Sequence, residues 1–279
     1  MQQICLIVPC YNESKRLPQE AVKQALINYP NLFLCFVNDG STDDTAAFLL
    51  HLRDSLPEES ADRCWIVSYS QNRGKSGAIQ QGLRSMSQQS TTVILNTAEK
   101  NLPQTTREDF FYGLKTIQTF DYFGYWDADL ATPFTELDWF FHHAKTNEFL
   151  LLMGSRVARL GAEIHRTVFR HYSGRLFATL ISQGLGWKVH DTQCGAKIFK
   201  KPVLDLIIDR PFVTQWLFDV EILLRLKIEF GESVKNQIME VPLRRWEDIK
   251  GSKLGALDFI KVPFQIWKVF NTYKLKSSK

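Results

Sequence analysis

The chain has 279 residues, of which 44% are hydrophobic and 13% aromatic, so it can bury a large core. Its 34 basic and 30 acidic residues leave a net charge of +4, which is too balanced to indicate nucleic-acid binding. The five cysteines form no CxxC pair, and no run approaches the roughly 18 apolar residues of a membrane span. These features predict a cytoplasmic protein without disulfides, a zinc site or a membrane-spanning helix.

The first 130 residues alternate short apolar runs with helical patterns. The runs are rich in β-branched and aromatic residues and read ICLIVP, LFLCFVND, CWIVSYS and YFGYWDAD. Segments such as TDDTAAFLLHLRDSL and GAIQQGLRSMSQQ lie between them and have helical periodicity. This order predicts an α/β fold with a parallel sheet and crossover helices, in which ligands bind at the carboxyl ends of the strands.

The later elements are less regular. Residues 90–119 interrupt the alternation, with TTVILN as a candidate strand and REDFFYGLKTIQ as a candidate helix. Beyond residue 148 we expect a strand, FLLLMGS, and then a helix with an apolar stripe from Ile164 to Leu180. Arg166 and Arg170 are four residues apart, so we expect them to project together from another face of that helix. The segments TQCGAKIF and NQIMEVPL are predicted strands, and WLFDVEILLRLK is a predicted helix.

Two carboxylates, Asp127 and Asp129, follow the fourth apolar run. A turn after the strand can bring both carboxylates toward one cation. Hard oxygen ligands without nearby His or Cys suit Mg²⁺ or Mn²⁺, which complete their shell with substrate phosphate. The alternative is that these aspartates cap the helix that is expected near Pro133.

Two further loops carry polar residues at strand ends. In FVNDGSTDDT, Asp39 stands at the strand tip, where its carboxylate can accept a hydrogen bond from a base or ribose. The segment NRGKSGAIQQG contains Gly-Lys-Ser, but a P-loop needs a glycine where Tyr69 stands, which excludes that motif. Arg73 and Lys75 at the start of a helix suit a phosphate, and a solvated basic turn is the alternative.

Eight ordered motifs together resemble the family 2 glycosyltransferases over about residues 3 to 255. The motifs are IVPCYNE, NDGSTDDT, NRGKSGA, DADLATP, GSR, DTQCGAKIF, FDVEILLRL and GSK. The chain is most similar to the branch that transfers glucose or mannose to dolichyl or other polyprenyl phosphates. The resemblance implies a GT-A type fold, which is a Rossmann-like, mostly parallel sheet flanked by helices.

The resemblance also implies a donor site. Pro9, Tyr11 and Glu13 would line the nucleotide pocket. Asp39 would bind the base, and Lys75 would approach the same nucleotide.

A metal site is implied beside this pocket. Asp127 would contact ribose and metal, and Asp129 would hold the metal against the diphosphate. Arg156 of GSR would lie near the sugar diphosphate or the acceptor. Ala131 stands where some relatives carry a metal-binding Gln, which leaves a third protein ligand in doubt.

Three more residues have implied roles. Asp219 falls where relatives carry the catalytic base, and Ser252 and Lys253 would close a loop over the site. We therefore predict an inverting, metal-dependent transfer of glucose or mannose from a nucleotide diphosphate sugar to a polyprenyl phosphate, with Arg166 and Arg170 binding the acceptor phosphate. The alternatives are a hydroxyl acceptor on a glycan or glycolipid in cell-envelope polysaccharide synthesis, a sugar nucleotidyltransferase, and a non-catalytic nucleotide-sugar binder.

The C-terminal segment mixes aromatic and basic residues. We predict a catalytic domain over residues 1–255 and a basic amphipathic tail over residues 256–279. Such a tail suits peripheral binding to an anionic membrane surface on the cytoplasmic side. The alternative is a helix, bent at Pro263, that docks on the domain with its basic end in water.

Overall fold

The computed structural model describes residues 2–87, 110–112, 119–146, 148–166, 168–249 and 256–277. The chain folds as two compact units. The first comprises Met1–Leu130 and Ile198–Leu204, and the second comprises Ala131–Lys197 and Asp205–Lys279. The predicted strand TTVILN lies outside the described residues, and so does the GSK loop.

The first unit is built on a mostly parallel sheet. Its strands are β1 (Ile4–Cys10), β2 (Leu32–Asp39), β3 (Cys64–Tyr69), β4 (Phe110–Tyr112) and β5 (Tyr122–Trp126). They lie in the order β4-β3-β2-β1-β5, and only β4 runs antiparallel to its neighbour. Ile4 pairs with Leu32 on one side and with Tyr122 on the other. Every residue of β2 and β5 is buried, as expected of parallel strands covered on both faces.

In the described residues, four helices lie between these strands. They are α1 (Gln19–Asn28), α2 (Thr45–Asp54), α3 (Glu58–Ala61) and α4 (Gly74–Ser87). Helix α4 packs on β1 and β2, where Gly82 lets the helix approach the sheet closely. A Cβ atom at Gly82 would lie 2.7 Å from Ile7 Cγ2 and 2.8 Å from Val37 Cγ2, so a larger residue would not fit without a shift.

The remaining elements follow in chain order. The strands are β6 (Leu151–Ser155), β7 (Glu163–His165), β8 (Ala196–Phe199), β9 (Ile238–Pro242) and β10 (Arg245–Glu247). The helices are α5 (Leu137–Thr146), α6 (Val168–Leu185), α7 (Lys201–Asp209), α8 (Phe218–Phe230) and α9 (Ala256–Ser277). In the second unit β6 pairs in parallel with β9, and β7 pairs in parallel with β10.

Two predicted helices differ from the structure. The helix expected to include Ile164 begins at Val168, because residues 163–165 pair with β10 as a strand. Arg166 therefore precedes α6, and the prediction that Arg166 and Arg170 share one helix face is wrong. The prediction of a helix over REDFFYGLKTIQ is also wrong at residues 110–112, which form β4 and pair with β3.

Sequence periodicity predicted an apolar stripe on α6 that differs in part from the buried side of this helix. Leu176 and Leu180 are 59% and 37% exposed, whereas Phe177, Ile181 and Leu185 are buried. The side of α6 that packs in the second unit is thus shifted by one residue from the predicted stripe.

The last helix, α9, has one buried and one exposed side. Val262, Val269 and Tyr273 are buried, while Phe264 and Trp267 are 64% and 61% exposed. Helix α9 contacts α8, and Pro263 lies inside it, where a proline removes a backbone hydrogen bond. In the residues that the structure describes, no helix is long and apolar enough to cross a bilayer.

Candidate active site

The turn after β5 carries the two aspartates of the DAD motif. Asp127 follows β5 directly, and its carbonyl oxygen accepts a hydrogen bond from the Leu130 N–H at 3.1 Å. Leu130 has a φ of 50°, a left-handed conformation that a branched residue adopts at a cost. The turn expected after this strand is therefore present, and it is tight enough to strain the backbone.

Each aspartate of the motif faces a cation within the first unit. Lys75 Nζ lies 2.5 Å from Asp127 Oδ1, and Arg16 Nη2 lies 3.0 Å from Asp129 Oδ2. Lys75 comes from the first turn of α4, as the sequence indicated. Nothing in the sequence indicated that Arg16 belongs to the site. Its one local feature is a spacing of three residues from Glu13, whose Oε2 lies 3.5 Å from Arg16 Nε.

The donor set at this turn fits a small divalent cation. Two carboxylates supply hard oxygen atoms, and Mg²⁺ or Mn²⁺ commonly takes only one or two protein carboxylates together with phosphate oxygens. Throughout the described part of the chain, no three residues among His, Cys, Asp and Glu are grouped closely enough to hold a metal. Asp127 and Asp129 would thus hold a cation that needs further oxygens from a ligand.

Asp39 lies at the carboxyl end of β2 and is 2% exposed. Its Oδ1 accepts the Arg73 N–H at 2.8 Å, and its carbonyl oxygen accepts Asn72 Nδ2 at 3.0 Å. Burial raises the pKa of Asp39, and the hydrogen bonds from the backbone oppose that rise. Gly40 follows with a φ of 64°, and a Cβ there would lie 2.5 Å from the Asn72 nitrogen. The loop holding Asp39 is therefore closely packed.

The residues after β1 belong to the same unit. Pro9 is in β1, Tyr11 is half-buried, and Glu13 is buried with its N–H donating to Thr45 Oγ1 at 2.8 Å. Asn12 has a φ of 54°, and its Oδ1 accepts the Thr42 N–H at 2.8 Å. These bonds join the loop after β1 to the loop after β2.

Arg156 in the second unit is held by a residue of the DTQCGAKIF motif for which the sequence indicated no role. It follows β6 directly, and Asp191 binds its guanidinium through two bonds, Nε to Oδ2 at 2.6 Å and Nη2 to Oδ1 at 2.7 Å. The Arg156 N–H donates to Asp191 Oδ2 as well, at 2.9 Å. Burial alone would raise the pKa of Asp191, but the charges of Arg156 and Arg166 and the bonds from Arg156 lower it to about 2.

Asp219 lies in the first turn of α8, 4% exposed and paired with Lys197. Lys197 Nζ lies 2.6 Å from Asp219 Oδ1, and it also donates to the carbonyl oxygens of Thr192 at 2.8 Å and Cys194 at 2.7 Å. Both partners of the pair are buried. Its assignment as a catalytic base remains a prediction, and the structure adds that a buried ammonium neutralises this carboxylate.

A cavity of about 500 Å³ lies within the second unit. Its wall contains five basic side chains, namely Arg156, Arg166, Arg175, Lys188 and His190. Its apolar lining includes Val157, Phe177 and Ile181. Arg156 and Arg166 thus share one cavity, as a common role in ligand binding requires. The side chain of Arg170 and the whole of Ser252 and Lys253 lie outside the described residues.

Comparison with known proteins supports the predicted resemblance. The family model described as Glycosyl transferase family 2 matches residues 5–96, which include the loops after β1, β2 and β3. The chain is similar to this family over that segment, so the resemblance predicted from its motifs is confirmed.

Relatives and solved structures extend the likeness over most of the chain. The dolichyl-phosphate beta-glucosyltransferase of Saccharomyces cerevisiae is 27% identical over 93% of this chain and 71% of that protein. The Homo sapiens protein of the same name is 26% identical over 95% of this chain and 72% of its own length.

A solved structure of glucosyl-3-phosphoglycerate synthase from Mycobacterium tuberculosis, in complex with Mn²⁺, uridine-diphosphate-glucose and phosphoglyceric acid, matches with a TM-score of 0.60. The match covers 98% of this chain and 79% of that chain at 15% identity. At this identity the likeness shows a shared fold, and the predicted GT-A type fold is confirmed.

Proposed function

We propose that this protein transfers a glucosyl residue, with inversion, from a nucleotide diphosphate sugar to a polyprenyl phosphate. The family 2 domain supports the reaction class. The names of the relatives in Saccharomyces cerevisiae and Homo sapiens support glucose over mannose and a dolichyl-type phosphate as the acceptor. The presence of uridine-diphosphate-glucose in a protein of the same fold supports a uridine nucleotide as the donor.

The donor site is assigned to the first unit. Asp39 accepts a hydrogen bond from the base, and Pro9, Tyr11 and Glu13 line the nucleotide pocket. Lys75 stands at the N-terminus of α4, where the positive end of the helix dipole and a positive side chain favour the diphosphate. Its ion pair with Asp127 shows that it reaches the DAD turn.

Asp127 and Asp129 hold the divalent cation in this proposal. A divalent cation held there would supply positive charge that offsets the charge of the diphosphate leaving group. Arg16 and Lys75, which pair with these two carboxylates, supply further positive charge for the same group. The Mn²⁺ in the complex of the mycobacterial synthase supports the class of metal.

The cationic cavity of the second unit is the observation that carries the choice of acceptor. Four Arg and Lys side chains line it, namely Arg156, Arg166, Arg175 and Lys188, and only one acidic side chain, Asp191, is among its described lining residues. Such an excess of positive charge suits a phosphate monoester, which carries close to two negative charges at neutral pH. The apolar lining at Val157, Phe177 and Ile181 suits the first isoprene units that follow the phosphate.

The transfer itself needs no proton acceptor. A phosphate oxygen of the acceptor attacks the anomeric carbon as the bond from that carbon to the diphosphate oxygen breaks. The electron pair of the broken bond leaves with the nucleoside diphosphate, and the configuration at the anomeric carbon inverts. The ion pair between Asp219 and Lys197 fits this chemistry, because an acceptor that arrives ionised requires no base.

Helix α9 is assigned to the membrane surface on the cytoplasmic side. Phe264 and Trp267 are exposed and stacked with their ring centroids 5.8 Å apart, and Lys268 beside them is exposed. Aromatic and basic residues on one side of a helix suit the interface of an anionic membrane. A protein so placed would meet an acceptor whose isoprenoid chain lies in the bilayer.

The decisive experiment is a transfer assay with matched donors and acceptors. Uridine-diphosphate-glucose and guanosine-diphosphate-mannose should each be offered with a polyprenyl phosphate, the corresponding polyprenol, and no acceptor, in the presence of Mn²⁺ or EDTA. We expect a glucosylated lipid phosphate only with the glucose donor, the phosphate acceptor and the metal. Transfer to the polyprenol or to a glycan hydroxyl, with none to the phosphate, would contradict the proposal.

A further inference from the structure

Two cations share one aromatic ring in the second unit. Arg156 Cζ lies 5.4 Å from the centroid of the Trp246 ring, and Arg166 Cζ lies 5.5 Å from it. Both distances are within the range of cation–π attraction. Trp246 is buried, and its pairing with Ile164 between β10 and β7 places it beside the segment that leads into Arg166.

The charges around this ring are unequal. Asp191 binds Arg156 through two bonds, and its pKa of about 2 keeps it ionised. The charges of Arg156 and Arg166 both act on Asp191, and Arg175 and Lys188 add positive charge on the same cavity wall. Like charges repel, so Arg156 and Arg166 stay side by side only where other groups attract both, and Asp191 and the Trp246 ring do so.

A tryptophan ring attracts cations without neutralising them. A carboxylate that attracts a guanidinium group also repels an incoming anion. The face of an indole carries only a partial negative potential, so the guanidinium groups keep their full charge for a ligand. Arginine also stacks on aromatic rings more readily than lysine does, which suits this arrangement.

We propose that Trp246 is a positioning residue for the acceptor phosphate. It holds Arg156 and Arg166 together at the cavity wall, so that one phosphate monoester meets two prearranged guanidinium groups. This inference rests on the proposed function, because it takes the acceptor to be a lipid phosphate. It adds a residue that acts through the two arginines and does not itself contact the reacting atoms.

The test compares two substitutions that differ in the ring. Trp246→Leu removes the π face, whereas Trp246→Phe keeps a weaker one. We expect the KM for the polyprenyl phosphate to rise about tenfold in Trp246→Leu and only two- to fourfold in Trp246→Phe. The KM for the nucleotide sugar should change less than twofold in both variants, since the donor site is assigned to the first unit.

A purely structural role of Trp246 would change the stability of the protein and not the acceptor KM. It would lower the melting temperature and the amount of active protein while leaving the acceptor KM of the remaining enzyme unchanged, and that result would overturn the inference. If Trp246→Leu does not fold, Trp246→Phe decides, because an acceptor KM equal to that of the wild type would contradict the proposed role.

A further result distinguishes failure of the proposed function from failure of the inference about Trp246. If wild-type protein makes no lipid-linked sugar, the proposed function fails, and calorimetry with farnesyl phosphate then decides the role of Trp246. Binding to the wild type that weakens about tenfold in Trp246→Leu supports the inference. Equal binding by the two proteins, or no binding to the wild type, overturns it.

Discussion

Lys197 Nζ lies 2.6 Å from Asp219 Oδ1, and both side chains are buried in the second unit. The ammonium group also bonds two carbonyl oxygens of the segment that contains Asp191, the partner of Arg156. A carboxylate in this setting balances a buried positive charge and orders the start of α8. We therefore expect its removal to affect stability more than turnover.

The first prediction concerns Asp219→Asn. The change leaves the Lys197 ammonium buried without its counter-ion, so the free energy of unfolding should fall by about 3–5 kcal/mol in urea titrations. Turnover of polyprenyl phosphate per folded molecule should fall less than about tenfold, whereas loss of a general base costs roughly 10²–10⁴. Glu221→Gln, which alters another buried carboxylate of α8, is the matched control for a stability effect alone.

The opposite outcome would identify a different acceptor. A hundredfold or larger loss of turnover in folded Asp219→Asn, with little effect of Arg166→Glu, would indicate base catalysis on a hydroxyl group.

The second prediction concerns Asp129→Asn at the DAD turn. Saturating uridine-diphosphate-glucose with Mn²⁺ should stabilise the wild type by about 2.7 kcal/mol at 100 times the Kd, visible as a rise in melting temperature. The variant should lose the part of that rise that depends on Mn²⁺. Asp54→Asn, an exposed aspartate at the end of α2, should keep it. A metal-dependent shift of the same size in Asp129→Asn would remove this residue from the metal site.

The third prediction concerns pH and the Arg156–Asp191 pair. The pKa of Asp191 falls from its ordinary value of 3.8 to about 2 on folding, so the folded state favours the ionised form. The resulting stabilisation of roughly 2 kcal/mol is present above pH 4 and is lost as the pH falls toward 2. Urea unfolding at several pH values should show Asp191→Asn below the wild type at pH 7 and close to it at pH 2. A gap that stays constant with pH would contradict the assignment.

The fourth prediction concerns membrane binding by α9. Phe264→Ser with Trp267→Ser should weaken co-sedimentation with vesicles of anionic phospholipid at least tenfold, since the exposed rings provide the apolar contact. Phe230→Ser, an exposed aromatic at the end of α8, should have little effect. High salt should weaken binding of the wild type, because each lysine near the surface contributes about 1 kcal/mol. Wild-type protein that never sediments would contradict membrane association.

Local patterns predicted the first unit well because its strands are buried on both faces. Such strands are continuous apolar runs, and β1, β2, β3 and β5 have that form. Strand β7 has only three residues and is stabilised by pairing with β10, more than 80 positions later in the chain. No local pattern indicates this long-range pairing, and the helical periodicity across Ile164 wrongly predicted a helix there.

In the candidate site, too, local motifs indicated some residues but not the distant residues that pair with them. Motifs identified Asp127, Asp129 and Arg156, which have characteristic neighbours in sequence. Their partners Arg16 and Asp191 are 113 and 35 positions away, and although Asp191 opens the motif DTQCGAKIF, no local pattern indicates that it pairs with Arg156. Removing a charge from water is costly unless a partner compensates it, and only the fold shows which distant residues are brought into contact.

The buried end of α9 limits how the chain can be shortened. Tyr273 accepts a hydrogen bond from Arg225 Nε at 2.9 Å and donates one to Glu221 Oε2 at 3.2 Å. A truncated protein ending at residue 255 would leave an arginine donor and a carboxylate of α8 without this hydroxyl group, at a cost of about 1–3 kcal/mol for each unsatisfied group. Fragments made for crystallisation or for lipid-free assays should therefore keep residues up to Tyr273, and membrane binding is better removed by surface substitutions than by deletion.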